Sequence, residues 1–308
     1  MRSVAVAIPH TGHTENLERC LDALERDPEV AEVAVVLPGS AVDSRLALER
    51  RQHCTTIVTP ELQSFAVATN RAVAASSAPY VLLLNDDAMI RPGALCRLAS
   101  YLDDHPEAGA TAPKLLNPDG SLQPSLYHDP TLWAALEELL RPVLPGRLAR
   151  HIARNPRPTF PTRPTDVHWA AAAALLVRRS LFQRLGGLDE RYPHGMEDAA
   201  LCLEIRRAGA RVVAVPEAEV VHAKGASSFR HPDAAQMGRV LTRGVTSWVL
   251  YMRIYRPRHA LPVRLIFLLH ALMRYTWFST FGRLRDHGYA AVRSSAYRRH
   301  LWMLVRTK

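Results

Sequence analysis

The chain has 308 residues, 48% of them apolar and 22% charged, which suits one large globular domain or two modest ones and excludes disorder as the dominant state. Fifteen Gly and 22 Pro exclude collagen-like and low-complexity classes. The net charge of +10 is lopsided: Arg230 to Lys308 carries 15 Lys or Arg against two acids, Asp233 and Asp286, so the preceding residues are slightly acidic.

Taken in chain order, Val4–Ile8 is a β-branched apolar strand, followed by an amphipathic helix over Glu15–Glu25 with Leu17, Cys20, Leu21 and Leu24 on one face. Val33–Leu37 reads as a second strand, Ser44–Gln52 as a helix and Thr56–Val58 as a third strand. Phe65–Ala75 is an Ala-rich helix, Tyr80–Leu84 a fully apolar fourth strand, and Pro92–Leu102 a helix with Pro in its first turn. Strands and helices alternating at this length imply an α/β fold with a mostly parallel sheet flanked by helices, and ligands at the carboxyl ends of its strands.

The middle is less regular. Pro-rich stretches at Arg141–Pro145 and Asn155–Pro164 bracket a basic turn of Arg147, Arg150 and Arg154, read as a surface excursion over a site. Regular structure resumes over Val167–Val177, then a short helix at Ser180–Leu185 and a helix at Met196–Ala208 closed by Gly209. Arg211–Val215 and Glu219–Val221 read as strands. Four cysteines (Cys20, Cys54, Cys96, Cys202) stand far apart with no C-x-x-C, against a disulfide framework or cysteine zinc site and for a reducing compartment. The opening MRSVAVAIPHTG lacks the long apolar core of a secretory leader, and no stretch reaches the roughly 20 apolar residues a spanning helix needs.

Three segments carry chemistry. The fourth strand runs into Asn85-Asp86-Asp87, adjacent carboxylates that either cap the next turn or hold a hard cation such as Mg²⁺ or Mn²⁺. Glu197-Asp198 opens a helix after Gly186-Gly-Leu-Asp-Glu-Arg-Tyr192, where a carboxylate is either a helix cap or an ionised general base. Val220-Val-His-Ala-Lys-Gly-Ala-Ser-Ser228 places His222 and Lys224 beside a Gly/Ser loop, with His222 either structural or a ligand for metal or phosphate.

In order and spacing, these segments resemble glycosyltransferase family 2, the inverting enzymes of GT-A fold, most of all its rhamnosyltransferase-like members. The resemblance spans Val4 to Ser228 and includes Pro113-Lys-Leu-Leu-Asn-Pro-Asp-Gly-Ser-Leu-Gln123, Trp169 and Leu175-Leu-Val-Arg-Arg179. It implies transfer of a sugar from a nucleotide-diphosphate donor (a dTDP- or UDP-sugar, dTDP-rhamnose among them) to a glycan or lipid-linked acceptor in cell-surface polysaccharide synthesis. It implies Asp87 and His222 for a Mg²⁺ or Mn²⁺ cofactor, and Asp198 with its neighbour Glu197 for base catalysis. Pro9, Asn70, Asn85, Asp86 and Lys224 would bind the donor, and Trp169 and Tyr192 the acceptor. Leu37 and Pro38 stand where the family usually carries the Asp-Asn that binds the nucleobase, and Ala199-Ala200 follow the Glu-Asp where a further acid is frequent. These departures keep open a catalytically degenerate, sugar-nucleotide-binding or scaffold homologue.

The division expected is residues 1–229 as the transferase domain and 230–308 as a basic helical extension. Trp248, Tyr251, Tyr255, Phe267, Tyr275, Trp277 and Trp302 are interleaved with its arginines, a pattern that suits an anionic membrane surface, or else an appendage packed on the body. Nucleic acid is disfavoured because no recognition motif accompanies the charge. The expected location is peripheral, at the inner face of the cell membrane.

Overall fold

The computed structural model describes the chain except residues 1–2, 52, 141–147, 149–159, 224–233, 281–286 and 307–308. The Arg141–Pro145 segment, its basic turn, most of Asn155–Pro164, and Lys224 therefore lie outside the described residues. Two compact units result. The first comprises Met1–Asp129, Pro158–Glu190 and Glu197–Arg230; the second comprises Pro130–Arg157, Arg191–Met196 and His231–Lys308.

The first unit is built on a mixed sheet. Strands β1 (Val4–Pro9), β2 (Val30–Pro38), β3 (Cys54–Thr59) and β4 (Tyr80–Leu84) lie parallel in the order β3-β2-β1-β4. The order continues through β10 (Ala174–Arg178), β6 (Ala108–Leu116), β11 (Arg211–His222) and the short β5 (Ala88–Ile90), with β8 (Thr165–Asp166) pairing β11. β10 runs antiparallel to both β4 and β6, while β6 and β11 are parallel. Beside this sheet, β7 (Leu126–Tyr127) pairs β9 (Trp169–Ala170).

Helices cover both faces because each presents one apolar stripe. On one face α1 (Thr14–Glu25) buries Leu17, Cys20, Leu21 and Leu24, spaced i, i+3, i+4, i+7, beside α2 (Val42–Glu49) and α4 (Ala94–Asp104). Burying each leucine contributes about 2 kcal/mol. On the other face lie α3 (Phe65–Ala74), α6 (Arg179–Arg184) and α7 (Glu197–Arg207), with Ala72, Phe182, Leu201 and Ile205 against the sheet. Ser64 caps α3 by accepting from Val67 N–H at 3.3 Å. α2 starts two residues before the expected Ser44. α4 starts at Ala94 rather than Pro92, because Gly93 is left-handed at φ 76° and cannot lie inside a helix.

Two expectations are corrected here. Val167–Val177 is not continuous: it breaks into β9 and β10, separated by an alanine turn. Arg211–Val215 and Glu219–Val221 are one strand, β11, with a register shift against β6 between them.

In the second unit, α8 (Ala234–Tyr255), α9 (Pro257–Thr280) and α10 (His287–Arg306) pack against one another, and α5 (Leu132–Leu140) packs on α9. The three long helices contain no Asp or Glu. The apolar run Leu265–Met273 lies within α9, where Phe267 and Ala271 are buried while Leu265, Leu269 and Leu272 are exposed. No helix of the described residues is long and apolar enough to cross a membrane. All four cysteines are unbonded.

Candidate active site

β4 is wholly buried and ends in Asn85-Asp86-Asp87. Both carboxylates are buried, so each needs a compensating partner. Asp86 has several: its Oδ2 accepts from His10 Nδ1 at 2.7 Å, Thr11 N at 3.1 Å and Thr11 Oγ1 at 3.3 Å. His10 follows Pro9 at the end of β1, and its Nε2 accepts from Ser44 Oγ at 2.7 Å, whose own oxygen lies 2.8 Å from Thr14 Oγ1. An Asp–His–Ser line of this kind can activate a nucleophile, but Ser44 is fully buried. The line instead fixes Asp86 across the ends of β1 and β4.

Asp87 differs. Its Oδ1 is buried and has no hydrogen-bond donor among the described residues, while His222 Nε2 stands 3.1 Å away. His222 ends β11, which pairs β5 with His222 opposite Ala88, and Ala223 N–H donates to Asp87 O at 3.0 Å. Gln123 fixes the tautomer. Its Nε2 is committed to Asn117 Oδ1 at 2.8 Å and His222 O at 3.0 Å, so its Oε1 must accept from His222 Nδ1–H, at 2.6 Å. His222 Nε2 then carries a lone pair, reached by Asn85 Nδ2–H at 3.1 Å. A carboxylate oxygen without a donor among the described residues and an imidazole nitrogen therefore converge, a pair that could serve a divalent cation open to water and phosphate oxygens. Among the described residues no cluster of three or more His, Cys, Asp or Glu is arranged to hold a metal, so the protein alone would supply an open site.

Asp198 lies at the same end of the sheet. Its Oδ2 accepts from Ala172 N–H at 3.3 Å and its Oδ1 from Ala199 N–H at 2.8 Å. The next residue in the alanine turn, Ala173, accepts Asn85 N–H at 3.0 Å, so one peptide step ties Asp198 to the Asn85-Asp86-Asp87 strand end. Burial pushes the Asp198 carboxyl above the usual carboxylate range, and the two backbone N–H groups pull it partly back. Burial, then the Asp198 charge, pushes Glu197 higher still, and Glu197 Oε2 has no hydrogen-bond partner among the described residues.

Trp169, three residues before Ala172, stacks on Tyr127 at 4.3 Å and donates its Nε1–H to His128 O at 2.7 Å. Pro9 pairs Val36 at the end of β1. Asn70 spends its amide on Leu188 O at 2.8 Å, Glu190 Oε1 at 3.0 Å and Leu188 N–H at 2.9 Å, and so pins the Gly186-Gly187-Leu188 turn. Tyr192 belongs to the second unit and is buried. His10 and Gln123 were not expected. A histidine directly after a parallel strand is the available signal for His10, and Gln123 is marked only as the last residue of the Pro113–Gln123 segment, which points to no role for it.

A model of the family described as "Glycosyltransferase like family 2" matches residues 2–245. An N-acetylglucosaminyl-diphospho-decaprenol L-rhamnosyltransferase of Mycobacterium tuberculosis is 32% identical over 231 residues, covering 70% of this chain and 75% of the relative. Rhamnosyltransferase WbbL of Escherichia coli K12 is 26% identical over 230 residues, covering 71% and 83%. Two solved structures share the fold. The mannosyltransferase PcManGT of Pyrobaculum calidifontis, in complex with GDP-Man and Mn²⁺, has a TM-score of 0.54 at 18% identity, covering 99% of this chain and 85% of that one. GalNAc-T7, solved with UDP, GalNAc and Mn²⁺, has a TM-score of 0.54 at 14% identity, and the match covers 79% of this chain but 47% of that longer one. The mixed sheet, its carboxylate-bearing strand end and these matches agree: the chain has a GT-A fold and belongs to glycosyltransferase family 2.

Proposed function

We propose that the chain is an inverting, metal-dependent glycosyltransferase that moves a sugar from a nucleotide-diphosphate donor to a hydroxyl of a glycan or lipid-linked acceptor. The observation that carries this reading is the tie between Asp198 and the Asp87 strand end through Ala172-Ala173, which serves both ends of a displacement from one edge of the sheet. The 32% relative is named for rhamnosyl transfer to a diphospho-lipid, which supports a dTDP- or UDP-linked donor, dTDP-rhamnose first, and a role in cell-surface polysaccharide synthesis.

Asp87 and His222 would hold Mg²⁺ or Mn²⁺, which supplies neutralisation of the charge on the departing diphosphate. Asp86, fixed by His10 and Thr11, lines the donor side with Pro9 and Asn85. Asp198 takes the proton of the acceptor hydroxyl as its oxygen bonds to the anomeric carbon; the bond from that carbon to the diphosphate breaks, and the leaving oxygen keeps the electron pair. One displacement inverts the configuration. The desolvated pocket that raises Asp198 makes it a stronger base than a solvated aspartate. Trp169 on Tyr127 offers the acceptor an aromatic face. Leu37 and Pro38 are apolar and buried at the end of β2, so the nucleobase is read by other groups. The acid-free helices of the second unit support peripheral attachment at the inner face of the cell membrane.

The test is Asp198→Asn, assayed with dTDP-rhamnose, UDP-sugars and GDP-sugars in the presence of Mn²⁺. Transfer should fall by roughly 10²–10⁴-fold while donor-induced thermal stabilisation persists. Near-parental turnover in that variant would remove Asp198 from its role, and absence of any donor hydrolysis or transfer in the parent would favour a silent homologue.

A further inference from the structure

α8 and α10 approach tightly at Gly238, where a Cβ would meet Ala296 O at 3.0 Å and Arg299 Cβ at 3.3 Å. One turn on, buried Thr242 and His300 lock the pair, Thr242 Oγ1 lying 2.9 Å from His300 Nδ1. This crossing brings Arg239 alongside Arg298 and Arg299. The three line a groove of about 530 Å³ floored by Ala235, Trp302 and Met303. All three guanidinium groups are exposed, and none has an ion-pair partner among the described residues. Three like charges side by side repel one another, a repulsion that a bound anion relieves.

On the next turns of the same α10 face, Trp302 is 57% and Val305 70% exposed, and Arg306 sits 3.9 Å over the Trp302 ring. We propose that this Arg239–Arg298–Arg299 groove takes the phosphate of an anionic lipid headgroup, with Trp302 and Val305 entering the interfacial layer beside it. Guanidinium forks match phosphate oxygens two at a time, and an amphipathic ring between apolar and charged neighbours suits the headgroup depth. The absence of any carboxylate along the three helices gives the charge complementarity. The assignment rests on the membrane reading above and deepens it by naming the face.

Full-length protein is mixed with phosphatidylcholine vesicles and with vesicles of equal parts phosphatidylcholine and phosphatidylglycerol, and binding is read by co-sedimentation and tryptophan emission. The parent should bind only the anionic vesicles, with a blue shift that Trp302→Phe removes. The Arg239→Gln, Arg298→Gln, Arg299→Gln variant, with parental circular dichroism and thermal midpoint, should lose roughly a hundredfold in partition. Its transfer to a water-soluble acceptor should stay parental. A Leu265→Ser, Leu269→Ser variant on α9 should bind as the parent does.

Parental binding by the triple arginine variant, or loss in the α9 variant instead, overturns the groove while leaving membrane attachment standing. A parent that ignores anionic vesicles overturns the membrane reading itself. Displacement by inorganic pyrophosphate at matched phosphate concentration reassigns the groove to soluble phosphate, and preference for a short RNA duplex overturns the lipid assignment.

Discussion

A carboxylate oxygen with no donor among the described residues, 3.1 Å from a neutral histidine nitrogen, is costly in a buried site. Gln123 sets this arrangement up, because its committed amide leaves His222 one tautomer. Gln123→Leu should therefore weaken Mn²⁺ binding by roughly 10–100-fold, measured by electron paramagnetic resonance titration, whereas Gln123→Glu, which still accepts from Nδ1–H, should recover part of it. Glu197 tests burial from the other side. Its carboxyl is raised, so the folded state holds a proton that the unfolded state releases. The resulting penalty is absent below the ordinary glutamate range, grows as pH rises through it, and levels off above the raised value. Glu197→Gln should accordingly raise the thermal midpoint progressively from acid to mildly alkaline pH; an equal gain at every pH would contradict the buried-proton account. At this scale Asp87, Asp198 and His222 stand out in the sequence because each sits in a conspicuous local pattern. His10 and Gln123 do not, since their partners lie 76 and 99 positions away.

Elements were legible where periodicity dominates, as in α1 and β4, and less so where tertiary pairing decides. The antiparallel direction of β10 is set by its slot between β4 and β6, which no property of Leu175–Val177 announces. The hydrogen-bond partners of Asn70 are hidden for a similar reason: its helix is plain, but they lie in a turn 118 residues on. That turn permits a paired test. Gly186 and Gly187 both have φ near +80°, yet a Cβ at Gly186 meets nothing while one at Gly187 comes within 2.6 Å of Asn70 Oδ1. Gly186→Ala should cost about 1 kcal/mol of backbone strain, and Gly187→Ala clearly more, read as the shift in urea midpoint. Equal shifts would mean that the Asn70 clamp yields freely.

For the molecule as a whole, composition already announced the charge division between body and tail, and the helices of the second unit bear it out as three long segments without an acid. The second unit takes in His231–Lys308 together with Pro130–Arg157 and Arg191–Met196. Folding-back of this kind depends on long-range packing, so no local composition change marks it.

The same acid-free helices act as a fixed-charge resin carried on the enzyme. Nucleotides, phosphate buffers and heparin should gather around them at low ionic strength as a diffuse counterion layer, independent of any sugar and without occupying the arginine groove. Calorimetric titration with a nucleotide donor should then show a shallow second phase that fades as salt shortens the screening length to about 8 Å near physiological strength. A phase that survives salt belongs to a shaped pocket.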